Sequence, residues 1–207
     1  MTQGASDASI TVERIGRDGA ALRALATLRM TVFRSWPYLY DGSLDYEAGY
    51  LGEFLRDEAA VLIVARSGDV PVGMATASPM AGQSDAVTAP FVAAGLDPAT
   101  FFYFGESVLL PRFRGLGIGH RFFDLREAAA RAAGATAATF AAVVRDPNHP
   151  ARPQDARELA PFWERRGYRA DPRLTMTMHW KELGASQESD HTMRFWRKSI
   201  ADGDPSA

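Results

Sequence analysis

The sequence predicts a single α/β domain, in which a mixed β-sheet carries helices on both faces. Strand-like and helix-like segments alternate along the chain, no segment repeats, and no long linker divides it. The chain has 207 residues, of which 46% are hydrophobic, enough to bury one core. We therefore assign residues 9–200 to one domain. The small and polar residues 1–8 are predicted to be a disordered N-terminal segment, and residues 201–207 a flexible tail.

Apolar periodicity and turn residues define the elements of the first half. Ile10 and Val12 alternate with polar residues, as in a half-buried strand. Asp18 is a suitable cap for the next helix, and Pro37 ends that helix because the residue before proline avoids helical geometry. A Ser-Gly-Asp turn separates two apolar runs, as in a hairpin. The predicted elements are a strand at 10–15, helices at 19–34 and 45–56, strands at 60–66 and 70–78, and a short helix at 85–94.

The second half contains the most apolar strand of the chain and two helices that stop at glycine. Gly134 and Gly167 each follow a helical pattern, where glycine commonly ends a helix. The predicted elements are a strand at 101–110, a helix at 118–133, a strand at 135–144, a helix at 155–166, and strands at 174–180 and 192–196.

Composition excludes several functional classes. The net charge of −2 and the pI of about 6.1 leave no basic excess for nucleic acid. The absence of cysteine removes disulfides, thiolate metal sites and cysteine nucleophiles, and agrees with a cytoplasmic location. Four scattered histidines without carboxylates at ligand spacing argue against a metal site. No apolar run approaches the ~18 residues of a membrane span, and the N-terminus does not resemble a secretory signal.

The segment Arg114-Gly115-Leu116-Gly117-Ile118-Gly119 joins the apolar strand to a helix, and this arrangement predicts an anion site. A helix N-terminus offers unpaired N–H groups and a partial positive charge, and glycines let a ligand approach the backbone. Nearby arginines add positive charge, so a phosphate is the expected ligand. A Walker loop is excluded because Gly119 is followed by His120 rather than Lys. A dinucleotide fingerprint is excluded because His120 occupies its last glycine position.

The same segment resembles the R/Q-x-x-G-x-G/A motif of the GNAT acyltransferases, with Arg114, Gly117 and Gly119 at the marked positions. The piece Pro161–Tyr168 is similar to a second family motif that ends a helix. The resemblance implies a GNAT-like, mostly antiparallel mixed sheet, and acetyl-CoA as co-substrate. It also implies that the turn binds the CoA pyrophosphate and that the preceding strand pairs with pantetheine. The cofactor-binding residues implied are Val108, Leu109, Leu110, Arg114, Gly115, Leu116, Gly117, Ile118, Gly119, His120, Arg121 and Trp163.

Trp163 departs from the family pattern, which often has a tyrosine there that protonates the leaving thiolate. An indole does not donate a proton as an acid at ordinary pH, so the general acid is left open. The CoA thiol, with a pKa of about 8.5 like that of cysteine, leaves tolerably well without one.

Glu106 and His149 are the catalytic candidates. The amine must lose a proton to attack the thioester, and Glu106 interrupts an apolar strand near its end, where the family often has its base. The structural alternative is a solvent-facing or salt-bridged glutamate. His149 follows the strand at 135–144, and a histidine has an ordinary pKa of about 6.5, suitable for an acid or a base. The alternative, which the sequence favours, is an exposed loop histidine.

Tyr38 and Tyr40 are the substrate-binding candidates, because this region of the resembled family commonly closes over the acceptor. An aromatic and partly acidic wall suits a cationic amine. Aromatic packing at a corner between two helices is the alternative.

Three functions are consistent with these residues. The first is direct transfer of an acetyl group from acetyl-CoA to a small-molecule amine, by an N-acetyltransferase without a covalent enzyme intermediate. The second is a non-catalytic acyl-CoA-binding regulatory module, which Trp163 favours. The third is a different phosphate-ligand protein, such as a nucleotide binder. The C-terminal Phe195-Trp196 either forms a homodimer contact or completes the core.

Overall fold

The computed structural model describes residues 9–16 and 21–201. Strands and helices alternate as the sequence predicts, with short 3₁₀ turns between some of them. The strands are β1 (Ile10–Ile15), β2 (Val61–Ser67), β3 (Val70–Pro79), β4 (Phe101–Leu109), β5 (Ala137–Val143), β6 (Arg169–Lys181) and β7 (Glu188–Ser199). The helices are α1 (Leu22–Phe33), α2 (Leu44–Phe54), α3 (Asp85–Ala93), α4 (Ile118–Ala132) and α5 (Ala160–Arg165).

The strands form one seven-stranded sheet in the order β1-β2-β3-β4-β5-β7-β6. Every neighbouring pair is antiparallel except β4 and β5, which are parallel. The crossover between these parallel strands contains α4. The mixed, mostly antiparallel sheet implied by the resemblance is therefore confirmed.

Both faces of the sheet carry hydrophobic side chains, which explains why helices pack on both faces. In β2, Leu62 and Val64 pack with Leu25 of α1 and Leu51 of α2 on one face. Their neighbours Val61 and Ile63 pack on the other face, with the phenylalanines of α4. Because successive strand residues point to opposite faces, a central strand must be apolar throughout, as the run at 61–65 is.

The helix expected at 155–166 is shorter than predicted, since α5 begins only at Ala160. Pro161 explains the difference. Proline has no N–H and its ring clashes with the carbonyl four residues earlier, so it fits the first turn of a helix and not its interior. Residues 153–156 form a separate turn, closed by a bond from the Ala156 N–H to the Pro153 carbonyl.

The last two strands are longer than predicted, because β6 and β7 form a hairpin of 13 and 12 residues. The start of the first predicted helix, the cap Asp18, the predicted disordered segment 1–8 and residues 202–207 of the predicted tail lie outside the described residues.

Asp171 lies in β6 where the pairing with β7 shifts register between Ala170 and Thr175. Its carboxylate is buried and accepts bonds from Arg173 Nη2 at 2.8 Å and Arg197 Nε at 3.0 Å. The hydrogen bonds from Arg173 hold the pKa of Asp171 well below its ordinary value, against the opposing effect of burial. The ionised carboxylate thus stabilises the irregular part of this strand.

We expect Asp171→Asn to lower the free energy of unfolding at pH 7 by about 2 kcal/mol, the size of a hydrogen bond to a charged group. Because the folded-state pKa is depressed, this stabilisation is present above about pH 4 and is lost as the pH falls further. Urea unfolding at several pH values measures both effects. Asp190→Asn, exposed in the same hairpin, is the control and should change stability by less than about 0.5 kcal/mol. An equal loss in the control would contradict the assignment.

Candidate functional site

A gap opens in the middle of the sheet where β4 and β5 separate. The two strands pair only at Phe101–Tyr103 and Ala137–Thr139. After that, β4 continues alongside β3 as far as Leu109, and β5 continues alongside β7 as far as Val143. One edge of β4 beyond Tyr103 is therefore available to a ligand.

A bulge in β4 coincides with the start of this gap. Thr76 of β3 pairs with Glu106, but Ser78 pairs with Tyr103, so β4 contains one extra residue. Gly105 lies within the bulge, and a Cβ atom there would come within 2.8 Å of the Thr76 Oγ1 atom. A glycine is required because this hydroxyl, which accepts a bond from the Glu106 N–H at 3.1 Å, occupies the space of a side chain.

Alternation along β4 decides which backbone groups face the gap. The Leu110 N–H donates to the Val72 carbonyl of β3 at 3.0 Å. Residues two apart point their backbone groups the same way in an antiparallel pair, so Val108 and Glu106 also face β3. The N–H groups of Ser107 and Leu109 point to the opposite side, into the gap. Of the predicted pairing residues Val108, Leu109 and Leu110, it is Leu109 whose backbone faces the gap.

The predicted anion turn follows β4 directly. Gly115 and Gly117 have φ angles of +83° and +79°, and a Cβ atom on either would meet nothing within 4 Å. Their conformation, and not the space around them, requires glycine. Gly117 is the N-cap of α4, and no side chain caps this helix. The N–H groups at Ile118, Gly119 and His120 in its first turn are therefore free to bind an anion, as the sequence predicts.

Four predicted side chains around the turn have defined positions. Arg114 is exposed, and its Nε atom donates to the Leu109 carbonyl at 3.3 Å. Arg121 and Leu116 are exposed as well. The His120 ring packs edge-on against Phe162 of α5, with the ring centroids 4.9 Å apart, and its Nδ1 atom lies 3.3 Å from Arg166. α5 therefore lies beside the start of α4.

Trp163 lies on α5 and packs edge-on against Phe140 and Trp196, at 5.0 Å between ring centroids in each case. Its indole is half-buried between β5 and β7 on the face that α4 also covers. Trp196 of the C-terminal pair thus has a packing role within this chain.

Glu106 is held from three sides at the point where β4 leaves β5. Its N–H donates to Thr76, its carbonyl accepts from Arg126 Nη1 at 3.2 Å, and its carboxylate forms an ion pair with Arg29. The side chain is only 8% exposed. The Oε1 atom is buried and has no hydrogen-bond partner among the described residues. Glu106 is therefore both the salt-bridged glutamate of the structural alternative and a carboxylate with one oxygen available.

Arg29 of α1 joins Glu106 to a second buried carboxylate, Glu47 of α2. The guanidinium carbon lies 4.4 Å from the centre of the Tyr50 ring. Two carboxylates and one guanidinium leave the cluster with one net negative charge. Removing the cation from such a buried group is costly, because each remaining charge loses its partner.

Tyr40 extends this cluster to the loop between α1 and α2, residues 34–43. The pKa of Tyr40 is raised, mainly by burial and further by a hydrogen bond to Glu47, so the phenol stays protonated. Tyr38 packs against Phe33 and Trp180, with ring centroids 4.9 Å and 5.8 Å apart, and burial raises its pKa to about 12. Tyr40 thus reaches the carboxylates, whereas Tyr38 packs among aromatic rings as the alternative reading expects.

Arg145, which follows β5, fastens the 34–43 loop to the edge of the sheet. Its Nε and Nη2 atoms donate to the Pro37 and Tyr38 carbonyls at 2.6 Å and 2.9 Å. It also forms an ion pair with Glu182 at the end of β6. Backbone bonds join the same loop to residues 181 and 183. The loop is therefore ordered by contacts with the ends of β5 and β6.

His149 is half-buried in the loop after β5. Its Nδ1 atom accepts a bond from the Ala151 N–H at 3.1 Å, and its ring lies 5.3 Å from that of Trp36. It borders the 34–43 loop, and within the described residues no hydrogen bond or ion pair joins it to Glu106 or Glu47. The structure thus does not bring the two catalytic candidates into contact.

Sequence reasoning missed Arg29, Glu47 and Ser107. A signal existed for Arg29, since it lies four residues after Leu25 and three before Val32, on the apolar stripe of α1. A charged residue on such a stripe indicates a buried partner. Glu47 and Ser107 had no comparable signal, because a glutamate is common in a first helical turn and backbone direction depends on register.

Two further classes of site are absent from residues 9–16 and 21–201. This part of the chain contains no group of three or more His, Asp or Glu side chains that could hold a metal ion. Its helices are also too short or too polar to cross a bilayer.

The sequence profile of the acetyltransferase (GNAT) family matches residues 24–168, which is most of the chain. The chain therefore belongs to the GNAT acetyltransferase family, and is an N-acetyltransferase with acetyl-CoA as its co-substrate. The open edge of β4 and the uncapped start of α4 fit such a ligand. No curated protein matches the chain significantly by sequence.

Solved structures share the fold at low sequence identity. The chain superposes on yncA of Salmonella typhimurium, which was solved with its cofactor acetyl-CoA, with a TM-score of 0.60, 12% identity, and coverage of 96% of this chain and 98% of that one. Superposition on an aminoglycoside 6'-N-acetyltransferase complexed with coenzyme A gives a TM-score of 0.58 at 18% identity, and covers 92% of this chain and 97% of that one. Superposition on a ribosomal-protein-alanine N-acetyltransferase from Brucella melitensis gives a TM-score of 0.58 at 14% identity, and covers 91% of this chain and 99% of that one.

Arg29→Met should lower the free energy of unfolding by about 3–5 kcal/mol, because Glu47 and Glu106 would lose their buried cation. Urea denaturation at pH 7 measures the loss. Arg23→Met is the matched control on the exposed side of the same helix, where the arginine pairs with Asp45 in solvent. It should change stability by less than about 0.5 kcal/mol. If both variants were equally stable, the cluster would have no role in holding α1 and α2 on the sheet.

Proposed function

We propose that this acetyltransferase moves the acetyl group of acetyl-CoA directly to the amine of a small molecule. The observation that carries the proposal is the position of Glu106, a buried carboxylate with one unbonded oxygen, beside the open edge of β4. An acceptor that is a cationic amine suits the net negative charge of the Arg29–Glu47–Glu106 cluster and its tyrosines. The aminoglycoside acetyltransferase among the structural relatives supports a small acceptor by analogy.

On the donor side, the residues act by binding and orienting. The N–H groups from Gly117 to His120 bind the pyrophosphate, with Arg114 and Arg121 adding positive charge. The backbone of Ser107 and Leu109 pairs with pantetheine along the open edge of β4. Trp163 borders the pantetheine arm from α5. CoA supplies the thioester whose acyl group is transferred.

On the acceptor side, Glu106 receives the amine proton, directly or through a water molecule. The ion pair with Arg29 engages the Oε2 atom of Glu106, and Oε1 is the oxygen that receives the proton. The Ser107 N–H stabilises the negative charge that develops on the acetyl oxygen as the amine attacks. Tyr40, in the loop at 34–43, borders the amine. His149 is the second candidate for a proton-transferring group.

The transfer needs no covalent intermediate on the protein. The chain has no cysteine, so an acyl-cysteine relay is excluded. Trp163 does not protonate the thiolate, which leaves either as the anion or with a proton from another group. A cytoplasmic location remains part of this proposal and rests on the cysteine-free composition.

Gly117→Ala should weaken acetyl-CoA binding, because a Cβ at a φ of +79° costs about 1–2 kcal/mol and displaces the N–H groups of the turn. Thermal unfolding with and without acetyl-CoA measures this. In the wild type, ligand at 100 times its Kd should add about 2.7 kcal/mol of stability, whereas ATP and NAD should add little. In the variant, we expect most of that shift to disappear.

Gly134→Ala is the matched control for this experiment. Gly134 has a φ of +78° with open space around it, but it follows the other end of α4. The substitution should destabilise the protein about as much as Gly117→Ala and leave the acetyl-CoA shift intact. A wild type that responds to ATP or NAD more than to acetyl-CoA would refute the donor site.

Glu106→Gln should lower kcat by about 100-fold or more, the contribution of a general base, while acetyl-CoA still binds. The residual rate should rise with pH more steeply than in the wild type, because the amine must then lose its proton in solution. Steady-state kinetics with a panel of primary amines measures both, and Glu53→Gln, exposed on α2, serves as the control. Unchanged turnover would remove Glu106 from the mechanism and leave His149 as the base to test.

A further inference from the structure

Arg126 is a buried cation that the proposed mechanism does not yet use. It lies on α4, and 2% of its surface is exposed. The guanidinium carbon lies 4.4 Å from the centre of the Phe104 ring and 4.7 Å from that of Phe123. No carboxylate oxygen within residues 9–16 and 21–201 comes within ion-pairing distance of it. Burial of an arginine without such a partner costs free energy, so a compensating role for Arg126 is expected.

The hydrogen bonds of Arg126 go to backbone carbonyls. Its Nε atom donates to Phe122, one turn earlier in the same helix, at 3.1 Å. Its Nη1 atom donates to the carbonyl of Glu106 at 3.2 Å. Burial lowers the pKa of Arg126 to about 10, so the group keeps its proton and its charge at neutral pH. A charged guanidinium is thus shared between a carbonyl of its own helix and the Glu106 carbonyl at the β4 bulge.

The Glu106 carbonyl and the Ser107 N–H belong to the same peptide group. In a trans peptide these two bonds point in opposite directions. The Glu106 carbonyl faces β3, where Arg126 also donates to it, so the Ser107 N–H points to the other side, into the gap between β4 and β5. A charged donor on the carbonyl draws electron density from the amide and makes its N–H a stronger donor. The Leu109 N–H lacks this effect, because the carbonyl of its peptide belongs to Val108, in the neutral ladder with β3.

We propose that Arg126 is a positioning residue that orients and polarises the Glu106–Ser107 peptide, so that the Ser107 N–H stabilises the oxyanion of the transferred acetyl group. The inference rests on the proposed function, in which that N–H faces the acetyl oxygen. Arg126 itself does not touch the substrate. It acts from the opposite face of the sheet to Arg29, which holds the Glu106 side chain.

Isotope-edited infrared spectroscopy of bound acetyl-CoA, labelled with ¹³C at the acetyl carbonyl, tests the inference directly. In the wild type the carbonyl stretch should fall to lower frequency on binding, because the N–H weakens the C=O bond. In Arg126→Met part of that shift should be lost. The kcat should fall only about three- to tenfold, because polarisation accounts for a fraction of the strength of the hydrogen bond from the Ser107 N–H. The Kd of acetyl-CoA should stay within about twofold.

Phe123→Leu is the matched control, because it disturbs the packing of the same guanidinium and leaves its bond to Glu106. This variant should keep the wild-type infrared shift. If Arg126→Met kept the wild-type infrared shift and the wild-type kcat, the role of Arg126 would be overturned, although the proposed function would stand. A wild type that does not bind acetyl-CoA would instead refute the proposed function, so the two failures are distinguishable.

A second measurement covers the case in which Arg126→Met does not fold. The ¹⁵N resonance of an amide responds to the hydrogen bond on its own peptide carbonyl, so Ser107 reports on Arg126 without any ligand. Arg126→Lys, which keeps the charge and loses the forked guanidinium, should move the Ser107 resonance and leave that of Leu109 unchanged. Equal positions of the Ser107 resonance in the two proteins would overturn the proposal.

Discussion

The separation of β4 from β5 is the constraint on which the rest of the structure depends. A strand that loses a neighbour inside a sheet exposes backbone groups that must find other partners. Here the bulge at Gly105 ends the pairing, and Thr76, Arg126 and Arg29 hold Glu106 at that point. The groups that hold β4 at the gap are therefore the same groups that the proposed transfer uses as its base and its hydrogen-bond donor. Stability and chemistry at this site depend on the same contacts.

The local geometry of the proposed donor side was predictable because its information is local. The strand, the glycine turn and the helix start lie within about twenty consecutive residues, and the left-handed conformation of Gly115 and Gly117 explains why glycine is needed there. The sheet class followed from the order of elements. The length of α5 was predictable in principle as well, since Pro161 carries the information that the helical periodicity around it obscures.

The acceptor side was less predictable because its contacts are distant in sequence. Arg29 is separated from Glu47 by 18 positions and from Glu106 by 77. Charges at such separations come into contact only after the sheet and both helices have formed, so no short sequence pattern predicts the ion pairs between them. Glu106 was recognised, because a single acid in an apolar strand needs an explanation wherever it occurs, and Arg29 offered a similar signal on the apolar stripe of α1. Similarly, the burial of the Tyr38 and Tyr40 side chains depends on the conformation of the 34–43 loop, which contacts with β6 and Arg145 hold in place.

The contacts of Arg145 have a consequence for how enzymes of this design can diversify. The 34–43 loop that borders the acceptor side is held by the ends of β5 and β6, whereas the donor side is contained in β4 and the start of α4. Under the proposed function, mutations in the loop or in the hairpin at its edge can therefore change which amine is admitted while the acetyl donor site is inherited intact. Such a division lets one lineage acquire new acceptors by small steps, each of which starts from an enzyme that already holds its donor.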